Sequence, residues 1–156
     1  MLWLALSYPQ LPLEVFDPEC ASNSRPIVVL EKNKIALRNA AAQKLNILPG
    51  SSLATAQAIQ EELTYFDRDH FLEQKVLTSL ATKLYALSSQ VSMPSECAIL
   101  LEIGASIRLF GSVDVLVQKA IELSSTAGLQ AVGGVASTPQ AALAFSYSNK
   151  NKFNSS

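Results

Sequence analysis

The sequence predicts a mixed α/β fold of the α+β kind, a sheet carrying helices with a small β/α insertion. Three observations lead there. Leu2–Ser7, Ile27–Leu30 and Ala98–Ile103 are short apolar runs nearly free of charge, as buried strands require. Between and after them lie longer segments with apolar residues at helical spacing. Hydrophobic residues make up 49% of the 156 and charged residues 16%, enough apolar material for a real core and too little charge for a disordered chain.

Leu2–Ser7 is a central strand, and Pro9 and Pro12, which cannot donate to a ladder, end it. Residues 17–26 are a polar loop. Ile27–Leu30 and Ile35–Leu37, joined by the polar turn Glu31–Lys34, form a hairpin. Asn39 caps a short alanine-rich helix ending near Asn46. Pro49-Gly50 turns the chain, and Ser51 or Ser52 caps a helix through about Glu62. Thr64–Phe66 is a brief extended piece. Asp69 caps a long helix from His70 to about Ser89, with Leu72, Val76, Leu80, Leu84 and Leu87 on one face. Ala98–Ile103 is the next strand. Ser112 then caps a helix to Ala127, which Gly128 ends in the left-handed conformation. Leu129–Ala136 is the last strand, its Gly133-Gly134 pair expected where backbone packs closely on backbone. Ser137 or Thr138 caps a final helix, with Pro139 in its first turn, to about Tyr147. The tail from Asn149 is expected to fray.

Charge and composition exclude several functions. Twelve basic against thirteen acidic residues leave a formal charge of −1, without the basic excess of a tight autonomous nucleic-acid binder. Cys20 and Cys97 lie far apart, and the single histidine makes a zinc site unfavourable. No basic segment precedes the first apolar residues, and no run is long enough to span a bilayer, so a cytoplasmic chain without a membrane role is expected. Gly133-Gly134 lacks the lysine of a phosphate loop, and no Gly-x-Ser-x-Gly elbow occurs.

Two stretches carry a resemblance: Leu2-Trp3-Leu4-Ala5-Leu6-Ser7-Tyr8-Pro9-Gln10-Leu11-Pro12-Leu13-Glu14, and Ala98-Ile99-Leu100-Leu101-Glu102-Ile103-Gly104-Ala105-Ser106 continuing through Arg108-Leu109-Phe110-Gly111 to Ser112. They resemble the palm of the Y-family (UmuC-type) lesion-bypass DNA polymerases, and within it the ImuB-like subgroup. The resemblance implies a palm-like domain over 1–10 and 70–156 and a fingers-like insertion over 11–69. It also implies a fragment or shortened relative lacking the thumb and little-finger domains, with apolar surface that those domains would cover. Aligning the closing glutamate of the family's first pattern on Glu14 puts the first metal-binding aspartate at Ala5, the second aspartate at Ser7 and the aromatic pair at Pro9 and Gln10. Setting the last aspartate of the later pattern on Glu102 puts the catalytic Asp-Glu pair at Cys97 and Ala98. In the fingers the nucleotide-gripping tyrosine and arginine fall on Ala40 and Gln43, with Lys44 agreeing. In the family's final pattern, which falls on Gly134 to Ser146, Gly134, Ala136, Ala142 and Ser146 agree, while a family lysine becomes Leu143.

The implied protein is a polymerase fold without polymerase chemistry. It would act in DNA repair and translesion synthesis, within the SOS response and damage-induced mutagenesis, by recruiting proteins. By resemblance its partners are a RecA-like accessory protein, a mutagenic replicative-type polymerase and the sliding clamp, with DNA binding weak or dependent on the missing domains. No metal site and no cofactor are expected. By the resemblance Glu102 and Glu96 are the possible remnants of the acidic site; a two-metal centre needs several carboxylates converging on its ions, and one binds Mg²⁺ poorly. The alternative is an enzyme with relocated acids, a divergent nucleotidyltransferase or hydrolase using Mg²⁺, centred on Asp67, Asp69, His70 and Glu73. The plainer account of that cluster is a helix N-terminus with acids set against the dipole. Lys150 and Lys152 are possible phosphate contacts. Gln10–Phe16 looks like a sliding-clamp peptide, though its leucines are expected to pack internally. Leu109 and Phe110 are expected to pack their turn into the core.

Overall fold

A computed structural model describes residues 1–20 and 22–153, with side chains described through Asn149. Lys150 and Lys152 lie on the last helix, and their side chains fall outside the described residues. The chain divides into two compact units, one of residues 1–9 and 74–156, the other of residues 10–73.

The first unit is built on a four-stranded antiparallel sheet in the order β5-β6-β1-β7. Its strands are β1 (Trp3–Ser7), β5 (Val91–Ser95), β6 (Ala98–Glu102) and β7 (Val132–Ala136). Every residue of β6 is buried, and Leu4, Ala5, Leu6 and Ser7 of β1 are buried too, as central strands covered on both faces must be. Pairing sets Trp3 opposite Glu102 and Ala136, Ala5 opposite Leu100 and Gly134, and Ser7 opposite Ala98 and Val132. Opposed residues share a face, and so do residues two apart. Trp3, Ala5 and Ser7 therefore look out on one face, and Leu4, Leu6 and Tyr8 on the other.

The helix α7 (Pro139–Phe153) covers the first face, with Ala142 packed in one cluster with Ala5 and Leu100. On the opposite face lies α6 (Val113–Thr126). There the buried Tyr8 hydroxyl meets Ser124 Oγ at 2.9 Å, and a Cβ added at Gly133 would touch Leu4 and Val117 at 3.7 Å. Ser112 caps α6 through the Val115 amide, and Gly128 follows its end with φ +84°, as expected from the sequence.

The second unit holds a three-stranded sheet in the order β3-β2-β4, made of β2 (Ile27–Glu31), β3 (Lys34–Arg38) and β4 (Thr64–Asp67). β2 and β3 form the expected hairpin across Lys32 and Asn33, both at positive φ, while β4 runs parallel to β2. The short helices α1 (Leu11–Glu14), α2 (Ala40–Lys44) and α3 (Leu53–Ile59) pack around it. One cluster joins Val28, Leu30, Ile35, Ala42, Ile47, Ala56 and Leu63. On the other side Phe16 stacks on Phe66 with centroids 4.7 Å apart. Asn39 ties this unit locally. Its Oδ1 accepts from the Ile27 and Ala42 amides, and its Nδ2 donates to the Cys20 and Arg25 carbonyls, so all its bonding capacity is used.

Several expectations need correcting. β5 was not foreseen, because its Val-Ser-Met-Pro-Ser sequence contains a proline and little β-branched material. The helix α4 (His70–Leu84) stops at Leu84 rather than near Ser89, and its buried seam is Leu77, Leu80 and Leu84. The third helix ends at Ile59, not Glu62, and the last runs to Phe153, past Tyr147. Leu109 does not pack inward. It is 82% exposed on the one-turn helix α5 (Ile107–Phe110), which follows a 3-10 turn at Gly104–Ser106. The leucines of Gln10–Phe16 are internal as expected: α1 buries both Leu11 and Leu13, so the segment is not an extended, free peptide.

A side chain at Gly134 has no room, because a Cβ there would collide with the Ala142 carbonyl oxygen and the Ser146 amide nitrogen. Gly134→Ala is expected to destabilise the protein by about 2–3 kcal/mol, the cost of overpacking a rigid backbone contact. Gly50→Ala supplies the comparison, since its position is strained by φ +85° but spatially open. Urea denaturation of both variants measures the difference.

Candidate functional site

The antiparallel register decides which side chains can meet at the end of the palm-like sheet. Ser7 closes β1 directly opposite Ala98, and the Tyr8 amide donates to the Cys97 carbonyl at 2.8 Å. The end of β1 thus meets the β5–β6 turn, where Glu96 is exposed. Ala5 lies two residues deeper, opposite Leu100, and is fully buried. Of the two β1 positions aligned with family aspartates, Ser7 is the one level with Ala98. Cys97 precedes Ala98 and so turns toward the other face.

The carboxylate in this region is Glu96, exposed in the β5–β6 turn, while the strand-end residues Ser7 and Ala98 carry none and the space beside Ser7 is filled. Ser7 is 2% exposed, and its hydroxyl points at the carbonyl oxygens of Val132 and Ser146, each at 3.4 Å. Leu143 packs against the Ala5–Leu100–Ala142 cluster. A pair of divalent ions needs several converging oxygen anions. Ala5, Ser7, Cys97 and Ala98 offer none, so these residues do not fit a polymerase metal pair. Among the described residues no three His, Cys, Asp or Glu side chains gather closely enough to hold a metal ion.

Glu102 sits at the opposite end of β6. Four residues separate it from Ala98, about 13 Å along a strand. It is 7% exposed, and its Oε1 accepts from the Gly104 amide at 2.8 Å and the Leu2 amide at 3.2 Å. It therefore organises the turn after β6 and the entry to β1. A Cβ at Gly104 would fall 2.6 Å from that same oxygen, so the carboxylate and the missing side chain share one space. Glu102 also lines a shallow cavity of about 460 Å³ with Met1, Leu2, Gly104 and Ala105, whose only acid is Glu102 itself.

In the other unit the structure draws the polar cluster around Arg68, which the sequence reading did not single out. Its Nε and Nη2 clamp both oxygens of Glu73, each at 3.1 Å, and Nη1 reaches Glu31 at 3.1 Å. Glu73 is 3% exposed, so this fork-to-fork pair neutralises a buried carboxylate. The Glu73 hydrogen bonds hold the Arg68 guanidinium above its ordinary pKa. His70 Nε2 lies 3.0 Å from the second oxygen of Glu31. That hydrogen bond is the largest influence and lowers the Glu31 pKa from its ordinary 4.5; burial opposes it, and the charge and hydrogen bond of Arg68 add to the lowering. Asp69 caps α4 by accepting the Leu72 amide at 3.0 Å, and Asp67 is exposed on β4. The four residues Asp67, Asp69, His70 and Glu73 are thus spread over a strand, a cap, a surface pair and a buried clamp. Arg68 and Glu31 were legible only as charges, since Glu31 is distant in sequence and becomes a partner through β2–β4 pairing. In the fingers-like unit Ala40, Gln43 and Lys44 are exposed on α2.

The model of the impB/mucB/samB family matches residues 12–146, and the chain belongs to that family. Its fold is similar to that of solved Y-family DNA polymerases. A Dbh ternary complex superposes with a TM-score of 0.76 at 16% identity, covering 95% of this chain and 45% of that one. A Y-family DNA polymerase chimera gives 0.71 at 15%, covering 95% and 46%. DinB from Sulfolobus solfataricus gives 0.68 at 16%, again covering 95% and 46%. The chain therefore spans less than half the length of these polymerases. No curated protein matches it. Among the described residues no helix is long and apolar enough to cross a membrane.

Two outcomes follow from the Arg68 cluster. Arg68→Met strands the buried Glu73 carboxylate and is expected to cost about 2–3 kcal/mol. Adding Glu73→Leu is expected to recover most of that loss, which a double-mutant cycle in urea resolves. Because the folded Glu31 pKa is lowered, its stabilisation is full above the ordinary value of 4.5 and is lost as pH falls through the lowered value. Glu31→Gln is expected to flatten the acid limb of the urea midpoint between about pH 5 and pH 3.

Proposed function

We propose that this chain is a non-catalytic polymerase-like module of the ImuB type, acting in translesion synthesis and damage-induced mutagenesis in the bacterial cytosol. It serves by holding other proteins and adds no nucleotides. One observation carries the reading: where β1 meets the β5–β6 turn, the aligned positions are Ala5, Ser7, Cys97 and Ala98, and Ser7 is closed in by two carbonyl oxygens. A carboxylate there would face the partial negative charge of two carbonyl oxygens in a dry pocket, which disfavours the ionised form a metal centre needs. The fingers-like positions agree, since Ala40 and Gln43 give no phenol or guanidinium to grip a triphosphate. A palm-and-fingers fold with that chemistry removed retains its surfaces, and surfaces support recruitment. The partners proposed are a RecA-like accessory protein, a mutagenic replicative-type polymerase and the sliding clamp. DNA contact is weak or depends on further domains.

Primer extension on an undamaged and a lesion-bearing template tests the reading. With Mg²⁺ or Mn²⁺ and all four nucleotides, no extension above background is expected, and affinity capture with the three purified partners is expected to retain at least one. Extension abolished by an added chelator overturns the proposal. Ser7→Asp is expected to confer no activity and to destabilise by about 3 kcal/mol, the order for an unpaired buried carboxylate.

A further inference from the structure

The outer edge of the three-stranded sheet is open. Among the described residues β4 is a terminal strand, paired with β2 alone. The Thr64 amide donates to the Pro26 carbonyl at 3.3 Å, and the Arg68 amide to the Leu30 carbonyl at 2.8 Å. In a ladder, alternate residues turn their N–H and C=O groups to opposite sides of the strand. Thr64, Phe66 and Arg68 therefore address β2, and Tyr65 and Asp67 point theirs outward. Among the described residues nothing bonds those outward groups.

The other sheet edges are blunted. Along β3, Ile35 exchanges hydrogen bonds with Gly50 and Ser51, and Lys34 bridges to Ser52. On β5 the Tyr85 hydroxyl takes the Val91 carbonyl at 3.3 Å, and Pro94 has no N–H to offer. On β7 the Asn149 side chain takes the Gly133 carbonyl at 2.9 Å. Such devices prevent unwanted strand pairing. β4 lacks them and carries an aromatic ring, Tyr65, 45% exposed.

Charge identifies what fits. Tyr65 and Asp67 lie on one face of β4, and exposed Glu61, Glu62 and Asp69 flank the strand in sequence. Among the described residues no basic group forms a salt bridge with any of these four acids. Pairing β4 with a second copy about a two-fold axis at Tyr65 would set Glu61 opposite Asp69, and about an axis at Asp67 would set Asp67 opposite its own copy, like charges that disfavour self-association in either register. We infer that the β4 edge accepts, as a fourth strand, an extended segment of a partner protein in which apolar and basic side chains recur at every second position. The apolar one covers Tyr65, and the Lys or Arg meets Asp67. The inference deepens the recruitment reading and rests on it only for the partner being a protein.

The probe is a fluorescein-labelled peptide, Lys-Thr-Val-Thr-Lys-Thr-Val, titrated into the full chain and read by anisotropy, with amide hydrogen exchange at saturation. Saturable binding below about 1 mM is expected, at least tenfold weaker when both lysines are glutamate or when the chain carries Asp67→Lys. N-methylating every second amide is expected to abolish binding in one of the two settings only, because one edge of the peptide faces β4. Exchange at the Tyr65 and Asp67 amides is expected to slow at least tenfold. No saturation, equal binding of both N-methylated forms, or protection away from β4 overturns the inference. So does a dimer, seen by sedimentation, that protects the same amides without peptide. None of these outcomes bears on primer extension, so failure here and failure of the non-catalytic reading are told apart.

Discussion

The palm-like unit depends on a contact between two backbones. Gly134 of β7 lies so close beneath α7 that hydrogen is the only substituent its Cα can carry. With the helix at that distance, small residues one turn apart, Ala142 and Ser146, both become fully buried against the sheet. The approach brings the Ser146 carbonyl to the Ser7 hydroxyl and seats Ala142 on Ala5 and Leu100. Helix position, strand-end chemistry and the apolar cluster on that face are thus consequences of one close approach. Close packing of this kind deforms little, because dense interiors transmit displacement instead of absorbing it.

That contact explains why the strand end is neutral as well as why it is closed. A carboxylate is tolerated in a dry interior when cations or several N–H donors face it. At Ser7 the neighbours are carbonyl oxygens, and a hydroxyl is the polar group that can donate to them. Glu102 shows the complementary case at the far end of the same sheet. Two backbone amides converge on its Oε1, and the absence of a side chain at Gly104 leaves the room. One sheet therefore holds a donor-lined end that keeps a buried acid and an acceptor-lined end that excludes one. The distinction is set by backbone direction.

The elements legible in the sequence were those governed by local chemistry. Asn39, Ser52, Ser112 and Asp69 cap where a side-chain oxygen precedes a helical pattern, and Gly128 takes the left-handed form after α6. The Gly133-Gly134 pair was readable as close packing, though the partner helix was not. β5 was illegible because Pro94 and its serines give no strand pattern, and its place comes from pairing with β6. The buried seam of α4 is legible at Leu80 and Leu84, but one turn earlier it runs through Leu77 in place of Val76, and Glu73 lies on the Leu77 side. A buried glutamate reads as solvated until its partner is known, and Arg68 becomes that partner through side-chain geometry alone. The register that levels Ser7 with Ala98 was equally hidden, since no single strand states its neighbour's alignment.

The fingers-like unit follows the same logic with charge. Arg68 is committed to Glu73 and Glu31, His70 to Glu31, and Asp69 to the α4 amides. The Arg68–Glu73 clamp is buried, the His70–Glu31 pair lies at the surface and the Asp69 cap runs along the helix, and together they fix where β4 ends and α4 begins. Arg68 adds its own amide to the β2 ladder, so the residue that neutralises Glu73 also pins the end of β4. Pinning a strand at both termini while leaving its middle amides outward presents an extended backbone whose conformation is fixed before any partner arrives. A preorganised edge lowers the ordering cost of adding a strand. The acids that remain beside it, Glu61, Glu62 and Asp67, are those the unit does not use for its own stability, so their charge is available to select what pairs there.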